Sequence, residues 1–130
     1  MDTVLWIIVP CYNEEEILHQ SMDILKDKLQ RLVQAGKVTS DSRVVCVDDG
    51  SKDDTSRVLI EHFHMQKVSR PIRLSVPCKP IEAIYEAPDT RIRLTLIRKV
   101  NGGKGDALNV GINASQFPYF ICIDAASMLQ

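Results

Sequence analysis

The chain has 130 residues, of which 45% are hydrophobic and 25% charged, enough to bury one core and too few to divide into two. Sixteen Lys+Arg stand against seventeen Asp+Glu, a formal net charge of -1, so the bulk electrostatic footprint of a nucleic-acid or anionic-membrane binder is absent. The composition is that of a globular chain, neither disordered nor membrane-spanning.

The first apolar run, Val4 to Val9, is rich in β-branched residues and reads as a strand buried on both faces of a mostly parallel sheet. Pro10 closes it far short of a signal or membrane helix, so no membrane segment is expected in this chain. A segment beyond Gln130 in a longer parent is left open. Asn13 is placed to cap a following helix, with Glu14, Glu15 and Glu16 in its first turn near the positive end of the dipole. Leu18, Met22, Leu25, Leu29 and Leu32 then recur at helical spacing, and Gly36 is the expected stop.

Val44 to Val47 predicts a second strand, ending in the turn-forming Asp48-Asp49-Gly50-Ser51. Asp53 or Asp54 is placed to cap the next helix, which carries Val58, Leu59 and Phe63. From Gln66 to Thr90 the prolines Pro71, Pro77, Pro80 and Pro88 forbid a long helix or central strand, leaving an excursion with short strands at most. From Arg91, apolar Ile92, Leu94 and Leu96 alternate with Arg91, Arg93 and Thr95, which predicts a strand with one solvated face. A glycine-rich loop, Asn101 to Gly105, leads into a helix carrying Ala107, Leu108 and Ile112. Tyr119 to Ile123 is the last predicted strand, ending at Asp124.

Strands alternating with helices imply a parallel sheet, and ligands bind such sheets at the carboxyl ends of the strands. The polar clusters fall there: Pro10-Cys11-Tyr12-Asn13-Glu14, Asp48 to Ser51, Asn101 to Gly105, and Asp124. Asp48-Asp49-Gly50-Ser51 reads equally well as a turn with a helix cap or as a carboxylate aimed at a base or ribose. The Asn101 to Gly105 loop offers backbone N–H groups and the Lys104 ammonium as a phosphate cradle, yet it has neither the Gly-Lys-Ser/Thr ending of a P-loop nor a dinucleotide fingerprint. His19, His62 and His64 lack partners at ligand spacing and are assigned no role. Cys11, Cys46, Cys78 and Cys122 form no C-x-x-C pair, so zinc and redox motifs are not expected. They read as buried reduced thiols of a cytoplasmic protein.

Taken in order, Ile7-Ile8-Val9-Pro10-Cys11-Tyr12-Asn13-Glu14, Val47-Asp48-Asp49-Gly50-Ser51, Asn101-Gly102-Gly103-Lys104-Gly105-Asp106-Ala107-Leu108-Asn109 and Cys122-Ile123-Asp124-Ala125 closely resemble family-2 glycosyltransferases. The resemblance spans nearly the whole chain. It implies the Rossmann-like, nucleotide-sugar-binding α/β half of a GT-A fold, with a mostly parallel sheet flanked by helices and the acceptor half to follow residue 130. It also implies a nucleotide-diphosphate sugar donor, usually Mg²⁺ or Mn²⁺, and inverting transfer to a glycan or lipid-linked acceptor. Carried across by motif, Pro10 and Tyr12 border the nucleoside with Asn13 and Glu14 next to them. Asp49 reads the uracil with Asp48 beside it, and Lys104 and Asn109 lie near the diphosphate. Asp124 matches the first acid of the family's Asp-x-Asp, which binds donor and metal; the second position is Ala126, a departure that weakens the metal site. The opening fifty residues look more like enzymes acting on polyprenyl phosphates, and the glycine-lysine loop more like processive polysaccharide synthases. Two rivals are a noncatalytic nucleotide-binding module and a sugar-nucleotidyltransferase. Pro10-Cys11-Tyr12-Asn13 argues against the latter, which normally opens on a glycine- and arginine-rich loop.

Overall fold

The computed structural model describes residues 3–88, 92–115 and 119–124. Along the chain run β1 (Trp6–Cys11), α1 (Leu18–Gln34), β2 (Arg43–Asp49), α2 (Thr55–His62), β3 (Gln66–Val68), β4 (Ile81–Glu86), β5 (Arg93–Lys99), α3 (Lys104–Ala114) and β6 (Phe120–Cys122). They form one six-stranded sheet in the order β3-β4-β5-β2-β1-β6. β6, β1, β2 and β5 pair in parallel, so their carboxyl ends share one edge. The proline-interrupted excursion adds β3 and β4 antiparallel at the far side. This is the expected α/β architecture.

Alternation along the buried strands divides the core in two. Ile7, Val9, Val44, Cys46, Leu94 and Leu96 pack under α1 and α2 through Leu18, Met22, Leu25, Leu29 and Leu59. Trp6, Ile8, Val45, Val47, Ile84 and Ile97 form the other face with Ala107 and Val110 of α3. Leu32 of the predicted helical stripe is exposed at 38%. The stop at Gly36 is as expected: φ is +72°, and the Gly36 and Lys37 N–H groups donate to the Val33 and Leu32 carbonyls at 3.0 and 2.9 Å, the paired bonds of a Schellman ending.

Three local expectations are corrected. α1 begins at Leu18 rather than after Asn13, because Asn13 takes a left-handed φ of +51°, which Asn tolerates better than most residues. On the side of β5 expected to be solvated Arg93 is exposed, but Thr95 and Lys99 on the same side are buried. Cys122 is exposed, unlike buried Cys11 and Cys46, although all four thiols are free. β6, by contrast, forms within the predicted span and leaves Phe120 and Ile121 exposed at 39% and 43%. Ala125 and Ala126 lie outside the described residues.

α3 approaches the sheet most closely at Gly111, where an added Cβ would meet Ile8 Cγ2 at 2.5 Å; at Gly105, in the first turn of the same helix, it would meet nothing within 4 Å. Overpacking a core costs about 1–3 kcal/mol, whereas Gly to Ala at an open helical site gains roughly 0.4–1 kcal/mol. Gly111→Ala should therefore lower the thermal midpoint and Gly105→Ala raise it. Denaturant or thermal melts of the two variants check the opposite signs.

Candidate functional site

The two consecutive aspartates at the end of β2 point to opposite faces because side chains alternate along a strand. Asp48 faces α2: its carboxylate accepts from the Ser51 N–H at 2.9 Å and from the hydroxyls of Ser51 and Ser56. Asp49 faces α3 and meets Lys99, its register partner on β5. The Lys99 ammonium is fully buried between the Asp49 and Asp106 carboxylates, with Asp106 Oδ2 at 2.7 Å and the Val100 carbonyl at 2.6 Å. Asp106 also accepts from the Lys79 N–H at 3.0 Å, tying the proline-rich segment to α3.

The glycine loop closes over Asp49. Gly102 N donates to Oδ1 at 3.0 Å and Gly103 N to Oδ2 at 2.9 Å, while Asn101 Nδ2 donates to the Asp49 carbonyl at 2.8 Å and reaches Oδ2 at 3.4 Å. The loop N–H groups expected to cradle phosphate are thus held by a carboxylate of the chain itself. Gly50 allows this closure: its φ is +69°, and a Cβ there would lie 2.6 Å from Asn101 N. Burial works against the Lys99 charge, but bonds to Asp106 and Asp49 outweigh it and raise its pKa. Burial likewise opposes ionisation of Asp106, and bonds from Lys99 and the Lys79 backbone outweigh it and lower its pKa.

The loop after β1 is stitched to the loop after β2. Asn13 and Glu14 donate their N–H groups to the Ser51 and Thr55 hydroxyls at 2.9 Å each, and Asn13 Oδ1 accepts from Lys52 N at 2.8 Å. Beside this seam opens a cleft of about 120 Å³ lined by Pro10, Cys11, Tyr12, Glu14, Asp49, Lys104 and Asp124. Glu14 Oε2 is buried and has no hydrogen-bond partner among the described residues. Burial, with smaller repulsion from Asp124 and Asp53, raises the Glu14 pKa against a Tyr12 backbone bond that lowers it. Lys104 Nζ and Asp124 Oδ2 face each other at 3.8 Å with both side chains more than half exposed.

Six of the nine residues nominated from sequence therefore meet: Pro10, Tyr12, Glu14, Asp49, Lys104 and Asp124. Three do not line the cleft. Asp48 is spent on Ser51 and Ser56, and Asn13 borders a neighbouring depression with Glu15, Glu16 and Asp53. Asn109 on α3 donates to the Pro77 carbonyl at 3.2 Å. Sequence reasoning missed Cys11 as a wall and Lys99 altogether, although a lysine ending a strand two residues before the glycine loop was a readable signal. A larger cavity of about 250 Å³ lies at the opposite end of the strands. Its Arg70 is already engaged by Glu86 at 2.6 Å, and Arg43 lies 3.9 Å from the same carboxylate, so the strand-end cleft is the stronger site.

Among the described residues no group of three or more His, Cys, Asp or Glu side chains is placed to hold a metal. Hard divalent ions want several oxygen ligands, so these side chains alone do not make a cation cage around Asp124.

The Glycosyl transferase family 2 model matches residues 6–87. The chain belongs to that family. This family-2 domain is 31% identical over 121 residues to the mouse dolichyl-phosphate beta-glucosyltransferase, covering 93% of the chain and 30% of the relative. It is 30% identical over 125 residues to an uncharacterized glycosyltransferase of Synechocystis, covering 96% and 30% respectively. With the uncharacterized glycosyltransferase YkoT of Bacillus subtilis it shares 37% identity over 67 residues, 51% of the chain and 20% of the relative. The domain thus spans 20–30% of the length of these relatives. GT-A members of the family typically use a divalent metal. Among the described residues no helix is long and apolar enough to cross a membrane.

The Lys99 cluster sets a pH window for the stability of this family-2 domain. The lowered Asp106 pKa contributes stability above the ordinary carboxylate value of about 3.9, lost as pH falls through the folded value. The raised Lys99 pKa contributes below about 10.4, lost as pH rises through the folded value. Asp106→Asn should destabilise the protein between these limits, and the gap from wild type should close in strong acid. Thermal melts from pH 2 to 11 measure both arms.

Proposed function

We propose that this domain binds the nucleoside diphosphate of a sugar donor, UDP by preference, in the strand-end cleft. The observation that carries the reading is the meeting of Tyr12, Glu14, Lys104 and Asp124 around one cleft, with a buried Glu14 oxygen that has no partner among the described residues. In this reading Pro10 and Tyr12 border the nucleoside. Glu14 accepts from a ribose hydroxyl, and Lys104 meets the diphosphate. Asp49 accepts the uracil N3–H on Oδ2, where Asn101 at 3.4 Å is the weakest of its internal donors and the one to yield. Asn13, Asp48 and Asn109 act from behind, through the loops they hold. The parent enzyme transfers a hexose or N-acetylhexosamine with inversion. The similarity to dolichyl-phosphate glucosyltransferases favours glucose and a lipid-linked acceptor over a glycan, and the free thiols suit a cytoplasmic setting. The chain spans only 20–30% of the length of these relatives. Donor binding is therefore the property to test in this chain.

Calorimetric titration should give tighter binding of UDP than of ADP, GDP or NAD. Glu14→Gln keeps the shape and removes the acceptor charge; it should weaken UDP about five- to a hundredfold, the range for losing a bond to a buried partner. Because burial already penalises the Glu14 carboxylate, the same variant should fold at least as stably as wild type. Equal affinity for all nucleotides, or unchanged UDP binding by Glu14→Gln, would sink the assignment.

The metal would offset diphosphate charge as a Lewis acid, held by Asp124 and the diphosphate oxygens. With Ala126 at the second acidic position, Mn²⁺ should raise UDP affinity only weakly, and Ala126→Asp should strengthen the coupling. Strong Mn²⁺ dependence in the unmodified chain would place the metal ligands elsewhere.

A further inference from the structure

Lys99 is the largest fully buried side chain among the described residues, and its ammonium sits one residue behind the cleft wall. It touches no cleft space itself. Its bond is to Asp49 Oδ1, the oxygen that also takes Gly102 N, whereas Oδ2 carries Gly103 N and the long Asn101 contact. The two carboxylate oxygens are therefore unequal: Oδ1 is committed to the interior by a charge-assisted bond, and Oδ2 has acceptor capacity to spare.

Resting on the reading of this cleft as a nucleotide site, we propose that Lys99 is the positioning residue for base selection. Its charge-assisted bond to Oδ1 adds to the Gly102 and Gly103 N–H bonds that hold the Asp49 carboxylate, and leaves Oδ2 as a pure acceptor. A pure acceptor discriminates between pyrimidines that are alike in shape. Uracil presents N3–H, a donor; cytosine presents a bare N3, an acceptor, and would face Oδ2 lone pair to lone pair. Asp106, on the other side of the ammonium, holds Lys99 in line at 2.7 Å.

Without the ammonium this arrangement fails. The Gly102 and Gly103 N–H bonds still hold the two oxygens, but a buried carboxylate stripped of its counter-charge tends to take up a proton. A protonated carboxyl is a donor as well as an acceptor, so it suits cytosine as well as uracil. Loss of Lys99 should therefore erode the choice between UDP and CDP more than it erodes nucleotide affinity as a whole, an outcome that simple loosening of the fold does not give.

The test is the ratio of CDP to UDP dissociation constants, measured by calorimetry on the 130-residue chain, with circular dichroism melts as the fold control. Wild type should prefer UDP by about tenfold or more, as expected for one well-placed buried hydrogen bond. Lys99→Met should bring the ratio to within about twofold. Lys99→Arg, which retains charge and donors, should keep most of the preference. Should the methionine variant melt below the assay temperature, Lys99→Gln serves instead, since it keeps donors for Asp49 and drops the charge; the same collapse is expected. An independent signature is the amide proton shifts of Gly102 and Gly103, which should move in Lys99→Met and stay near wild type in Lys99→Arg. If the folded neutral variants keep the full preference for UDP, the inference is overturned while the nucleotide site stands. If wild type binds neither nucleotide, the site assignment falls and the inference with it.

Discussion

Taking an ammonium out of water costs several kcal/mol even after relaxation, and only close, well-aligned counter-charges offset it. Lys99 meets that cost with Asp49 from β2, Asp106 from the first turn of α3 and the carbonyl of Val100. These groups come from separate segments, and Asp106 brings the Lys79 backbone with it. Satisfying one buried charge therefore requires the end of β2, the glycine loop, α3 and the proline-rich segment to close together. The cleft wall is as well defined as this cluster is complete.

Around that centre the structure separates residues that hold loops from residues that face the cleft. The division follows strand parity. Asp48 and Asp49 are neighbours in sequence and a sheet thickness apart in role, the first binding the α2 turn through Ser51 and Ser56 and the second binding the α3 side through Lys99. Asn13 makes the same kind of contribution across loops, giving up the cap of its own helix to close the turn after β2. What faces the cleft is a small polar set, Tyr12, Glu14, Asp49, Lys104 and Asp124, framed by Pro10 and Cys11.

The charge balance of that set bears on what it binds. With Asp49 neutralised from behind, Glu14 and Asp124 remain against Lys104. The cleft lining then carries two acidic groups against one ammonium. The burial that raises the Glu14 pKa eases this conflict by making its charge costlier to hold. The elevated Glu14 carboxyl and the Lys104–Asp124 pair are thus parts of one electrostatic problem, set by bringing acids to the end of a parallel sheet.

The order of elements, the parallel sheet and the location of the cleft were legible in the sequence, because β-branched runs ending in polar clusters fix strand direction, and direction puts those clusters at one edge. The family resemblance was legible too, in residues at those strand ends. The roles within the clusters were decided only in three dimensions. Helix spacing made Asn13 a cap, but the neighbouring turn outbid the helix for its side chain. Alternation from Arg91 to Leu96 implied a solvated face, but only Arg93 of its described residues stays exposed, while Thr95 is buried and, farther along the same side, Lys99 is enclosed by Asp49 and by Asp106 of α3. Glycines that read as a phosphate cradle close instead on Asp49. In each case local pattern records what a side chain can do, whereas the partner it takes depends on which distant segment the sheet order brings within hydrogen-bond reach, and that proximity is not encoded at any one position of the chain.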